Sequence, residues 1–138
     1  MRKYLVCLLA ISLLSACGDG RGEKDKKLAL GCQAGLKALL AQDKFDRQID
    51  KVTSRKFKDE SEGRRVTLKA TTKNKQFGYE KDESFNCLFA ETSNILGWKA
   101  EVQQLNIGED VFGKKDGQII GDMNDFLELT GAVEAAMK

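Results

Sequence analysis

The chain has 138 residues, 23 Lys and Arg against 21 Asp and Glu, four Cys, and no His or Pro. That length fits one domain with a core of its own. The small excess of cations lies in Arg2 and Lys3, so a nucleic-acid role has no electrostatic footprint in the rest of the chain. Without His, the commonest general base and metal ligand is missing, and neither a Ser-His-Asp nor a Cys-His constellation can be built.

The chain opens on Met1-Arg2-Lys3-Tyr4, and an apolar run follows from Leu5 to Leu14, broken by Ser12. A cationic start, an apolar run of about ten residues and small residues before a break are the parts of a secretory signal. The run is shorter than the roughly 20 residues that span a bilayer. Leu14-Ser15-Ala16-Cys17 then gives way to Gly, Asp, Lys and Glu.

Leu14-Ser15-Ala16-Cys17 resembles the lipobox of bacterial lipoproteins, and the resemblance covers residues 1–18. It implies that residues 1–16 are cleaved away and that the Cys17 sulfur carries a diacylglyceryl group. The mature chain is then held to the cell envelope by lipid and not by a spanning helix. In enterobacterial lipoproteins an Asp directly after the lipidated Cys marks inner-membrane retention. Gly18 stands in that place here, which leans toward the outer membrane, facing the periplasm. Cys7 leaves with the leader.

Cys32 and Cys87 remain, and an even pair in an exported chain reads as a disulfide. Closing that span stabilises by about 4 kcal/mol in the chain-entropy description. Two buried thiols or a labile redox pair are the alternatives, and the latter is disfavoured because no Cys-x-x-Cys is present. Two cysteines without His are too few for a structural zinc site.

Residues 17–27, rich in Gly and alternating charge, read as a lipidated flexible tether, with a single domain over 28–138. Leu28 to Gln42 reads as a helix, because Leu28, Cys32, Leu36, Leu39 and Leu40 recur at helical spacing. Gly31 and Gly35, four apart, suit close approach to a neighbour. Asp43 to Gly63 is highly charged, and Ile49, Val52 and Phe57 suggest one irregular strand or two short ones. Asp59-Glu60-Ser61-Glu62-Gly63 reads as its turn. Arg64 to Thr72 alternates as a half-buried strand, with Val66, Leu68 and Ala70 on one face. Lys73 to Glu83 reads as a loop or a hairpin tip. Ser84 to Glu91 follows as a strand with Phe85, Cys87 and Phe89 inward, then a turn at Thr92-Ser93-Asn94. Gly97 to Leu105 is a strand with Trp98, Ala100 and Val102 on one face.

The Gly-rich segment Asn106 to Gly121 holds a hairpin turn at Lys115-Asp116-Gly117-Gln118, between Val111-Phe112 and Ile119-Ile120. It fails as a calcium loop, because Phe112 and Lys114 occupy the upstream ligand positions. Asp122 caps a last helix whose apolar residues are Met123, Phe126, Leu127, Val133 and Met137. The expected fold is α+β: an N-terminal helix, a three- to four-stranded antiparallel meander sheet and a C-terminal helix, with both helices on one sheet face.

The stretch from Lys44 to Glu83 is mildly positive and that from Ser84 to Lys138 clearly negative; solvated strand and helix faces are the plain explanation, and a polarised surface that orients a partner or a phospholipid headgroup is the functional one. The leading expectation is a non-catalytic envelope binding module of the assembly, inhibitor, immunity or exclusion type, with an envelope protein as partner and no cofactor or metal. Its candidate surfaces are Lys75, Phe77, Tyr79 and Lys81, where aromatics stand beside charge, and the Gly108–Gly121 segment. Aromatics that merely cover a sheet edge are the plainer alternative. A carboxylate-dependent hydrolase of cell-wall or lipid substrates is a second class of function, which needs a cleft with two facing carboxylates, one of raised pKa. A carrier of lipid or a small ligand is a third, which needs an apolar cavity between sheet and helices.

Overall fold

The alternation read from Arg64 onward builds a sheet, and a computed structural model describes it over residues 20–138. The residues expected to form a leader, and Cys17, lie outside the described residues. The elements run α1 (Arg21–Leu40), β1 (Arg47–Glu60), β2 (Gly63–Asn74), β3 (Glu80–Asn94), β4 (Gly97–Ile107), β5 (Asp110–Lys115), β6 (Gln118–Ile120) and α2 (Met123–Met137). The strands form one antiparallel meander in the order β1-β2-β3-β4-β5-β6. The α+β layout with a helix at each end agrees with expectation. The sheet has six strands, however, where three or four were expected.

The two strands beyond that number are β5 and β6, the hairpin expected between Val111-Phe112 and Ile119-Ile120, which pairs onto β4 and extends the sheet. Bulges hide the regularity of two of the other strands. In β1, Ile49 lies opposite Thr72 and Val52 opposite Ala70, with register shifts after Ile49 and after Val52. Each extra residue breaks the two-residue period, so one long strand reads in sequence as an irregular stretch. A third shift falls in β4: Leu88 pairs with Gln104, but Phe89 pairs with Val102. Gln103 is therefore extra, and Trp98, Ala100 and Val102 share a face with Leu105 and Ile107 despite their opposite parity. Gly113 of β5 passes this bulge with φ 124°, and a Cβ there would fall on the Gln103 carbonyl. Only glycine permits that approach.

The core lies between one sheet face and the two helices. Val66, Leu68 and Ala70 meet Phe85, Cys87 and Phe89 on the sheet side, under Leu28, Leu36, Leu39 and Leu40 of α1. The stripe foreseen for α1 is buried as expected. Cys32 and Cys87 are joined, with their Cα atoms 5.8 Å apart. Gly31 and Gly35 are both buried against α2.

Three local expectations are corrected. The tether reading fails for residues 21–27, because α1 already begins at Arg21. Its charged first turns are held by ion pairs: Arg21 to Asp25 at 2.7 Å and to Glu91 at 2.9 Å, and Arg64 to Asp25 at 2.8 Å. Those partners lie up to 70 residues away in the chain. The turn expected at Thr92-Ser93-Asn94 is instead strand, and the chain reverses at Ile95-Leu96. On α2, capped by Asp122 as foreseen, the buried pair is Leu129 and Val133, while Met123 and Leu127 face outward.

The helix contact generates a paired prediction. A Cβ on Gly35 would stand 2.7 Å from Leu129 and 2.8 Å from Val133, whereas one on Gly131 meets nothing within 4 Å. Gly35→Val is expected to destabilise by about 1–3 kcal/mol through overpacking. Gly131→Ala is expected to stabilise by about 0.5–1 kcal/mol through helix propensity. Urea unfolding of the two variants measures both.

Candidate interaction surfaces

The β2–β3 connection turns within five residues, and its backbone is closed by its own hydrogen bonds. Asn74 ends β2, and its side-chain oxygen accepts from the amides of Gln76 at 3.0 Å and Phe77 at 2.8 Å. The Asn74 amide donates to the Tyr79 carbonyl at 2.8 Å, and the Gly78 amide to the Asn74 carbonyl at 2.9 Å. Gly78 takes φ 74°, which lets the chain turn back. This frame holds Phe77 and Tyr79 side by side, ring centroids 5.8 Å apart, and leaves them 64% and 71% exposed.

The other two residues of that expected surface do not join the pair. Lys75 turns back to the body: its amide donates to the Asp46 carbonyl at 2.8 Å and its ammonium to the Gln42 carbonyl at 3.0 Å. It thereby ties the tip to the C-terminal end of α1. Lys81 lies on β3, exposed, with its ammonium 4.0 Å from Glu83. Beneath the tip, Glu83 accepts from Arg47 at 2.7 Å and from the buried Thr72 hydroxyl, which fixes the base of the hairpin.

The second expected surface, Gly108–Gly121, folds as the β5–β6 hairpin. Its Phe112 packs into the core against Phe45, so the segment's largest side chain is structural. Asp116 and Gly117 make the foreseen turn, both with positive φ.

Two features escaped sequence reasoning. One is an open groove of about 550 Å³ between α2, the start of α1 and β4, floored by Trp98, Ala100, Val102, Phe126 and Met137 and rimmed by Lys27, Lys114 and Glu134. The bulge at Gln103 is what keeps the Trp98–Val102 stretch facing it. The other is the β3–β4 tip, where Ile95 is 101% and Leu96 84% exposed. Asn94 braces this turn by accepting from the Leu96 amide at 2.8 Å. In sequence these two residues look like ordinary core material, and only the length of β3 reveals them as a tip.

The carboxylates with displaced titration all move down. Burial raises Asp25, but hydrogen bonds from Arg64 and Arg21 and their charges outweigh it and hold the acid below its usual range. Arg65 lowers Glu60, and Lys44 with Gln42 lowers Asp125. Among the described residues, no group of three or more His, Cys, Asp and Glu is placed to hold a metal ion. None of their helices is long and apolar enough to cross a membrane. The chain matches no family model, and neither a curated protein nor a solved structure resembles it.

Because the folded Asp25 sits below its ordinary value of 3.8, its stabilisation is present above that value and is lost as pH falls through the folded one. Asp25→Asn is expected to weaken the fold at neutral pH and to flatten the loss of stability between about pH 5 and pH 2. Urea titrations across that range check this; parallel pH profiles for the two proteins would contradict it.

Proposed function

We propose that this chain is a bacterial envelope lipoprotein anchored through Cys17, whose domain is a non-catalytic binding module that engages an envelope protein through the Phe77–Tyr79 tip. The observation that carries the reading is the exposed aromatic pair on a hydrogen-bonded turn. Exposed aromatics held rigidly lose little entropy on docking, which is what anchors an interface. The tip sits at the C-terminal end of α1, through Lys75 and Gln42. Lipid at Cys17 attaches near the opposite end, where α1 begins. One end of the domain is then tethered and the other presents the aromatics outward, into the periplasm if the anchor is in the outer membrane.

The carrier reading gains a specific observation in the Trp98–Met137 groove, which has an apolar floor and a charged rim. It is the second reading, and quenching or shift of the single Trp by added lipid or apolar ligand tests it. The hydrolase reading gains none: a general acid needs a raised carboxyl, and the displaced ones are lowered.

The test combines lipid analysis with in-cell crosslinking. Mass spectrometry of the mature chain is expected to find acyl mass on Cys17, absent from Cys17→Ser. A photo-reactive residue at position 77 is expected to yield one dominant protein adduct in intact cells, lost on Tyr79→Ala and absent when the probe is at Lys115. Tyr79→Ala is expected to leave stability within about 0.5 kcal/mol, as an exposed side chain should. An unmodified Cys17, or equal and diffuse adducts from both probe sites, would sink the reading.

A further inference from the structure

We infer that the Ile95–Leu96 tip is a second membrane contact, inserting into the bilayer that holds the lipid anchor. This rests on the lipoprotein reading and deepens it, because it specifies how the anchored domain stands on the surface.

Level and direction bring the start of α1 and this tip to the same end of the domain. Successive residues of α1 are tied to the β3 region in reverse chain order. Arg21 meets Glu91, Asp25 meets Arg64 (which lies opposite Phe89), and Cys32 is bonded to Cys87. The start of the helix therefore points toward the β3–β4 end of the sheet. Past the level of Arg21, the chain continues along β3 from Glu91 to Asn94 and into the turn at Ile95, a rise of about 13 Å at ~3.3 Å per residue. From Arg21 back to Cys17 the chain spans four residues, at most about 14 Å in any conformation. The lipidated sulfur and the two apolar side chains can thus reach one plane.

The tip is also the part that stands furthest out at that end. The neighbouring β1–β2 turn closes at Gly63, and Arg64 is opposite Phe89. Its acids, Glu60 and Glu62, consequently stop near the level of Glu91 and stay behind the tip. Ile95 and Leu96 carry no charge, and as nearly free side chains they lose nothing of the core by entering lipid. Lys99, exposed on β4 opposite Thr92, stands a few residues behind them, where a long cationic chain reaches headgroup phosphates. At the other end of the sheet the β2–β3 turn exposes the aromatic pair Phe77 and Tyr79, so the two sheet tips have different tasks. Insertion of two aliphatic side chains is too weak to recruit the protein alone, but beside covalent lipid it fixes orientation.

The test uses the full lipidated chain, reconstituted in phosphatidylcholine vesicles. With Cys17 acylated and Cys32 bonded to Cys87, Leu96→Cys offers the only free thiol for an environment-sensitive nitrobenzoxadiazole dye. Phe77→Cys is the matched control. Reduction of the dye by impermeant dithionite is expected to be about tenfold slower at position 96 than at position 77, as for a group below the headgroups. Equal rates, with acyl mass confirmed on Cys17, overturn this proposal and leave the lipoprotein reading standing. Slow reduction at 96 that persists in detergent without vesicles assigns the shielding to another copy of the chain and also overturns it. No acyl mass on Cys17 overturns both.

Discussion

The structure depends on α1 being laid across the sheet face and tied there to β3. Apolar burial supplies the adhesion, since Leu28, Leu36, Leu39 and Leu40 all lose contact with water against the sheet. Adhesion alone does not set direction or height. The Cys32–Cys87 bond fixes the helix at mid-length, and Asp25, held between Arg21 and Arg64, fixes its start. An ion pair of that kind is weak as a source of stability and effective as a register mark, because shifting the helix would leave Arg64 without Asp25. Once α1 is placed, α2 follows through Gly31 and Gly35, and the groove beside α2 follows from how far that helix reaches across β4.

Much of this was legible in sequence, and the failures have physical causes. The α1 stripe was readable because one buried face repeats at helical spacing, and Cys32 on it and Cys87 on an alternating strand pointed to each other. The central strands were readable where alternation is unbroken, as in Val66-Thr67-Leu68-Lys69-Ala70. It was unreadable where a bulge inserts a residue, as in β1 between Ile49 and Val52 and in β4 at Gln103. The early start of α1 was hidden because Glu91 and Arg64, which hold its charged turns, are distant in the chain. Of the expected surface, Phe77 and Tyr79 come together as an exposed pair, while Lys75 is recruited to cap the α1 end. Ile95 and Leu96 carry no sequence signal of their own: the same residues two positions along a strand would be core.

The domain that results has two unlike ends. One holds the start of α1, close in chain to Cys17, and an aliphatic tip. The other holds an aromatic pair on a turn closed by four backbone and side-chain hydrogen bonds. Between them, β3 runs through from Glu80 to Asn94 without a break in its pairing to β2 as far as Phe89. With α1 tied to that strand through Cys32–Cys87 and Arg21–Glu91, attachment at one end, as proposed, would determine where the other end is held.

The measurement that bears most directly on this account is the height of the Phe77 tip above the bilayer, read by energy transfer from a dye at that position to an acceptor in the headgroup layer. The 15 residues of β3 separate Tyr79 from Ile95, about 50 Å at ~3.3 Å per residue. If Cys17 carries lipid as proposed, the donor stands roughly that far from the surface, with little spread, in vesicles carrying the chain. A donor lying close to the headgroups, or at the same height as one placed at Leu96, would mean that the domain lies flat or tumbles on its anchor, and the two-ended account would be wrong.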